Sequence, residues 1–142
     1  MLKEGEDVNP LEAFDQEGKL QKLDFKGTTI VYFYPRDNTP GCTREACGFR
    51  NDIEQFKKLG VKVFGVSTDS VESHKKFVEK YKLNFPLLSD KEKKICKAFG
   101  VPALIAAKRV TFVVKNGKVV YVDSDVKADG HSTDLLGGLK VL

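Results

Sequence analysis

Cysteine is scarce in this sequence, three in 142 residues, and histidine is scarcer at two. Three cysteines are too few to staple a small secreted domain, and in a reducing compartment a close pair more often signals redox chemistry or metal than structure. Zinc does not fit, because it takes three or four ligands and the chain offers only His74 and His131, with no Cys-x-x-Cys pair. No stretch approaches the roughly 18 apolar residues of a membrane span. The opening Met1, Leu2, Lys3, Glu4, Gly5 likewise lacks the apolar core of a secretory signal. A soluble cytoplasmic protein without a membrane partner is expected. A strong charge of one sign is missing too. The net charge is +4, and runs such as Lys91, Glu92, Lys93, Lys94 are short and mixed, which suits a solvated face better than a nucleic-acid surface. Nowhere does Gly-Lys precede Ser or Thr as a phosphate-cradling loop requires, so no nucleotide cofactor is expected.

What the chain has is enough apolar residue, 41%, to bury a core in one domain spanning residues 1–142. Ile30, Val31, Tyr32, Phe33 and Tyr34 form a run typical of a strand covered on both faces. Similar runs cover Val61 to Val66, Phe85 to Leu88, Val110 to Val114 and Val119 to Val122. The last two are separated by Lys115, Asn116, Gly117, Lys118, whose Asn-Gly pair supplies the positive φ angles of a tight hairpin. Asp15, Gln16, Glu17, Gly18 reads as a turn between two short strands.

Helical periodicity fills the gaps. Cys42, Ala46, Phe49, Ile53 and Phe56 recur at steps of four and three after Pro40 and Gly41, giving one apolar stripe that faces a sheet. Ser70 is placed to cap a helix carrying Val71, Phe77, Val78 and Tyr81, and Asp90 to cap one through Ile95, Ala98 and Phe99. Ser132 to Leu142 reads as a last helix weakened by Gly137 and Gly138. Strands alternating with helices and closing on a hairpin imply an α/β fold with a mixed central β-sheet flanked by helices. Thioredoxin-like topology fits that order, and pattern alone leaves a flavodoxin-like sheet open.

Cys42 stands where strand gives way to helix. Unpaired N–H groups and the positive end of the helix dipole favour an anion there, so its thiolate is the candidate nucleophile. A cysteine phosphatase would place an arginine six residues on, where this chain has Gly48. Thr39, three residues before Cys42, brings a hydroxyl placed to donate to the thiolate and to accept from a substrate. Arg109, at the start of a predicted strand beyond Gly100, Val101 and Pro102, brings five donors on an always-charged fork, suited to hold a thiolate and a substrate oxygen together.

The stretch Tyr34-Pro35-Arg36-Asp37-Asn38-Thr39-Pro40-Gly41-Cys42-Thr43-Arg44-Glu45-Ala46-Cys47 resembles the signature of peroxiredoxins of the bacterioferritin comigratory protein type, also called PrxQ. Its Pro-x-x-x-Thr-x-x-Cys core is similar to peroxiredoxins generally, and the continuation through Cys47 to this subfamily. Weaker likeness runs on through Phe25-Lys26-Gly27, Gly65 to Ser70, Phe99-Gly100-Val101 and Arg109 to Phe112. The resemblance implies a cofactor-free thiol peroxidase of antioxidant defence, acting on hydrogen peroxide and organic hydroperoxides. It implies that Cys42 is peroxidatic, Cys47 resolving, Pro35 shields the site, Thr39 and Arg109 activate peroxide, and Glu45 braces the arginine. A thioredoxin-like dithiol is the implied reductant. The segment Pro102 to Lys108 is shorter than many relatives carry, which leaves substrate range open.

On an ideal helix, residues five apart have Cα atoms about 8.6 Å from each other. A disulfide spans at most about 6.8 Å, so Cys42 and Cys47 join only if the first turns unwind. Cys96, beside Ile95 and Phe99, reads as a structural apolar residue. A thiol-disulfide carrier is the nearest competing enzyme, and a basic binding module with incidental cysteines the competitor from another class. No long tail follows the last predicted helix, which favours a monomer.

Overall fold

The structure, a computed structural model, describes residues 1–140. In chain order they form β1 (Leu11–Phe14), β2 (Leu20–Leu23), β3 (Thr28–Phe33), α1 (Pro40–Lys58), β4 (Val61–Ser67), α2 (Val71–Tyr81), β5 (Leu87–Ser89), α3 (Lys94–Phe99), β6 (Val110–Lys115), β7 (Lys118–Asp123) and α4 (His131–Lys140). Positions 141–142, the end of the predicted last helix, lie outside the described residues.

Five strands make one sheet in the order β5-β4-β3-β6-β7, and β1 pairs with β2 as a separate antiparallel hairpin. β3 runs parallel to β4 and antiparallel to β6, so the sheet is mixed and thioredoxin-like. A flavodoxin-like sheet would have continued in parallel past β3. The β6–β7 turn carries positive φ at both Asn116 (50°) and Gly117 (80°), as its sequence predicts.

β3 is buried on both sides because its side chains alternate between two cores. Ile30 and Tyr32 join Phe49, Ile53, Phe56, Phe77 and Leu135 beneath α1, α2 and α4. Val31 and Phe33 join Ile95, Cys96, Phe99 and Phe112 on the α3 side. The ring of Tyr32 stacks on Phe49 with centroids 4.5 Å apart, a contact worth about 0.5–1.5 kcal/mol beyond burial. Opposite it, Gly65 of β4 leaves no room for a side chain: a Cβ there would stand 2.7 Å from Leu87 Cδ2 and 2.9 Å from the Tyr32 hydroxyl oxygen.

Local signals held to differing degrees. Ser70 caps α2 by accepting from the Ser73 N–H (3.1 Å). Asp90, however, is not the N-cap of α3; that position is Lys93, in a left-handed conformation (φ 61°). The Asp90 carboxylate reaches across the intervening turn instead, accepting from the Ile95 and Cys96 N–H groups at 3.0 and 2.9 Å. β5 starts at Leu87 rather than Phe85, since Pro86 has no N–H for the ladder. No helix among the described residues is long and apolar enough to cross a membrane.

Candidate active site

The sheet register brings the predicted site together. Antiparallel pairing of Phe33 with Val110 sets the end of β3 beside the start of β6, so Arg109 lies next to the loop from which α1 departs. Pro40 opens α1 at a position where a missing N–H is no loss, and Cys42 follows in the first turn. Only 2% of Cys42 is exposed, yet its Sγ accepts a hydrogen bond from Arg109 Nη2 at 3.2 Å. Arg109 Nη1 donates to Glu45 Oε1 at 2.6 Å. One guanidinium thus bridges the sulfur and a carboxylate one helical turn away. Cys42, Glu45 and Arg109 are brought together as the sequence suggested.

Glu45 was expected on the resemblance alone, and its burial was not. It lies off the apolar stripe, but its side chain has no exposed surface, and its Oε2 is buried without a partner. Burial pushes its carboxyl up to about 7, against the pull of Arg109. Burial also works against the Arg109 charge, but Glu45 and Cys42 together hold the guanidinium above its ordinary value. A hydrogen bond to a charged partner contributes about 1.5–3 kcal/mol, so the bridge outweighs most single contacts of the loop.

Thr39 departs from expectation. It is the N-cap of α1 without a side-chain cap bond, and its hydroxyl donates to the Arg36 carbonyl (3.1 Å) rather than to Cys42. Its lone pairs stay free to accept. Pro35 is half-buried. Cys47 is half-buried on the same unbroken helix as Cys42, and all three cysteines are free. Cys96 is buried, and burial, then the Asp90 carboxylate, pushes its thiol up to about 12.

Sequence reasoning missed a second polar group behind the loop. His74 is fully buried, with Nδ1 2.6 Å from Asp37 Oδ2 and Nε2 3.0 Å from the Leu88 carbonyl. Its signal was its place between Val71 and Phe77 on the inner face of α2, where a polar residue calls for partners. Ligand atoms of Asp37, Asp69 and His74 lie within 4.8 Å of one another, but their oxygens already accept hydrogen bonds from Tyr34, Ser67, Ser73 and the Asp37 N–H.

With that geometry in place, likeness to known proteins is informative. Residues 5–122 match the AhpC/TSA family. A putative peroxiredoxin bcp from Coxiella burnetii is 43% identical over 134 residues, covering 87% of this chain and 89% of that protein. Chloroplastic peroxiredoxin Q from Sedum lineare is 50% identical over 140 residues, 94% of this chain and 75% of that one. Among solved structures, peroxidoxin BcpB from Mycobacterium tuberculosis superposes with a TM-score of 0.92 at 35% identity, covering 100% and 99% of the two chains. A cysteine-to-serine mutant of PrxQ from Xylella fastidiosa gives 0.93 at 30% identity, covering 99% and 97%. By sequence and by fold alike, this chain belongs to the AhpC/TSA family, in its Bcp/PrxQ branch, and is a thiol peroxidase.

Proposed function

We propose that Cys42 is the peroxidatic residue. Its thiolate attacks the distal oxygen of a hydroperoxide, the O–O bond breaks, and the sulfur gains that oxygen as sulfenic acid. The leaving alkoxide or hydroxide takes up a proton and departs as alcohol or water. Thr39 accepts a hydrogen bond from the peroxide, while Arg109 stabilises both the thiolate and the negative charge that grows on the leaving oxygen. Glu45 braces the arginine and Pro35 shields the sulfur. The observation that carries this reading is the guanidinium of Arg109, 3.2 Å from Cys42 Sγ and held from behind by Glu45.

Cys47 then attacks the sulfenic sulfur, closing a disulfide and releasing water. Both cysteines sit in continuous α1, five positions apart, so this step requires the first turns to unwind. A cytoplasmic dithiol of the thioredoxin type returns both to thiols, and the chain acts as a monomer of one domain.

Intact mass after one equivalent of hydrogen peroxide tests the scheme. Wild type is expected to lose two hydrogens, Cys47→Ser to gain one oxygen, and Cys42→Ser to stay unchanged. Oxidation of the Cys42→Ser protein at the wild-type rate would overturn it.

A further inference from the structure

Asp37 lies within the 35–39 loop that presents Thr39, and His74 faces it from α2. The side chain of Asp37 is 4% exposed and that of His74 not at all. The Tyr34 hydroxyl at 2.6 Å and the Ser73 hydroxyl at 2.8 Å donate to the Asp37 carboxylate, and His74 Nδ1 lies 2.6 Å from it. Its own N–H donates to Asp69 Oδ2 (2.8 Å), which also accepts from the Ser67 hydroxyl. The next residue, Asn38, has φ 59° and accepts at Oδ1 from the Tyr81 hydroxyl (2.9 Å) and from Lys80 (3.3 Å). The loop is therefore tied to α2 through Ser73, His74, Lys80 and Tyr81, and to the end of β4 through Asp69.

His74 is held at both ring nitrogens, Nδ1 against the Asp37 carboxyl group and Nε2 against the Leu88 main-chain carbonyl, so the ring cannot turn without losing a contact. Removing one partner would leave the other a buried polar group without its hydrogen bond.

We propose that Asp37 and His74 are positioning residues for the peroxide step, fixing the 35–39 loop so that the Thr39 hydroxyl faces a peroxide bound between Cys42 and Arg109. The inference rests on the assignment of Cys42 and Thr39 given above. Neither residue touches substrate. Their effect is on alignment, and a misplacement of about 1 Å near reacting atoms costs up to about a hundredfold in rate.

The test compares two reactions of the same sulfur in reduced Asp37→Asn and His74→Gln proteins. Oxidation by hydrogen peroxide requires the aligned loop, whereas alkylation by monobromobimane requires only an accessible thiolate. Peroxide oxidation is expected to slow about 10- to 100-fold while alkylation changes less than about threefold. Equal slowing of both, or no slowing of either, would overturn the proposal. Should these variants fail to unfold cooperatively in urea, Tyr34→Phe and Ser73→Ala each remove one donor from Asp37 and keep the pair. Each is expected to lose peroxide reactivity selectively by about threefold or more, and an unchanged rate in both overturns the proposal. Failure of wild type itself to react with peroxide through Cys42 would instead strike the assignment on which it rests.

Discussion

Arg109 donates to the sulfur of Cys42 across 3.2 Å although 67 positions separate them in sequence. The same fork donates to Glu45, so the two hydrogen bonds lock the guanidinium plane. Lysine keeps the charge but has no fork to span sulfur and carboxylate. Arg109→Lys should therefore slow peroxide oxidation by about 100- to 1000-fold, the usual effect of removing one preorganised donor. The chain has no tryptophan to report oxidation, so quenched-flow intact mass is the suitable readout. A loss smaller than about threefold would detach Arg109 from the chemistry.

Glu45 makes a pH prediction whose sign follows from burial. Its carboxyl stands near 7 in the folded protein against 4.5 for the free group. Between those values the folded state holds a proton that the unfolded chain has released, so stability is full below about pH 4.5 and declines as pH rises to about 7. Relative to Glu45→Gln, wild type should lose stability from pH 5 to pH 8, by at most about 3 kcal/mol. Urea titrations of both reduced proteins at the two pH values measure it. Parallel behaviour, or a difference of opposite sign, would refute the buried carboxyl as the cause.

Much of this was legible in the residues. The β3 run, the α1 stripe and the Asn-Gly turn each rest on a local rule, periodicity or forced φ, that tertiary contacts reinforce. Cys42 announced itself by standing at a helix start. Glu45 and His74 were harder, because their burial depends on partners 64 and 37 positions away, Arg109 and Asp37, which no local pattern reveals. Thr39 shows the converse: its place was readable, but its hydroxyl rotor chose a nearby carbonyl. The Asp90 shift has the same origin, since a carboxylate reaching over a turn caps a helix without occupying the cap position.

Gly65 predicts a cost that runs from sheet to site. An added methyl meets Leu87 on one side and the Tyr32 ring on the other, and Tyr32 lies against Phe49 of α1. Both neighbours are fully buried. Gly65→Ala should destabilise the reduced protein by about 1–3 kcal/mol, the usual penalty of overpacking. Urea unfolding measures it, and a change below about 0.5 kcal/mol would mean the core yields more easily than its packing implies.

Gly48 probes the unwinding step directly. It lies inside α1 just beyond Cys47, and a Cβ there would meet Ser132 Cβ at 3.6 Å, an ordinary contact. Alanine therefore fits, and it favours helix over glycine by about 0.8–1.0 kcal/mol. The later turns of α1 are already pinned: Asp52 accepts from the Ser132 and Thr133 hydroxyls, and Arg50 donates to the Tyr81 carbonyl. On the proposed route, those contacts leave the turns between Cys42 and Arg50 as the part of α1 to unwind, and Gly48 lies among them. The oxygen adduct at Cys42 should form at the wild-type rate, because that step uses the intact helix. Closure to the disulfide should slow about fivefold, the equivalent of about 1 kcal/mol of added helix stability. Quenched-flow mass spectra resolve the two events as gain of oxygen followed by loss of water. Unchanged closure in a measurably more stable Gly48→Ala protein would show that the two sulfurs meet without melting the helix between them.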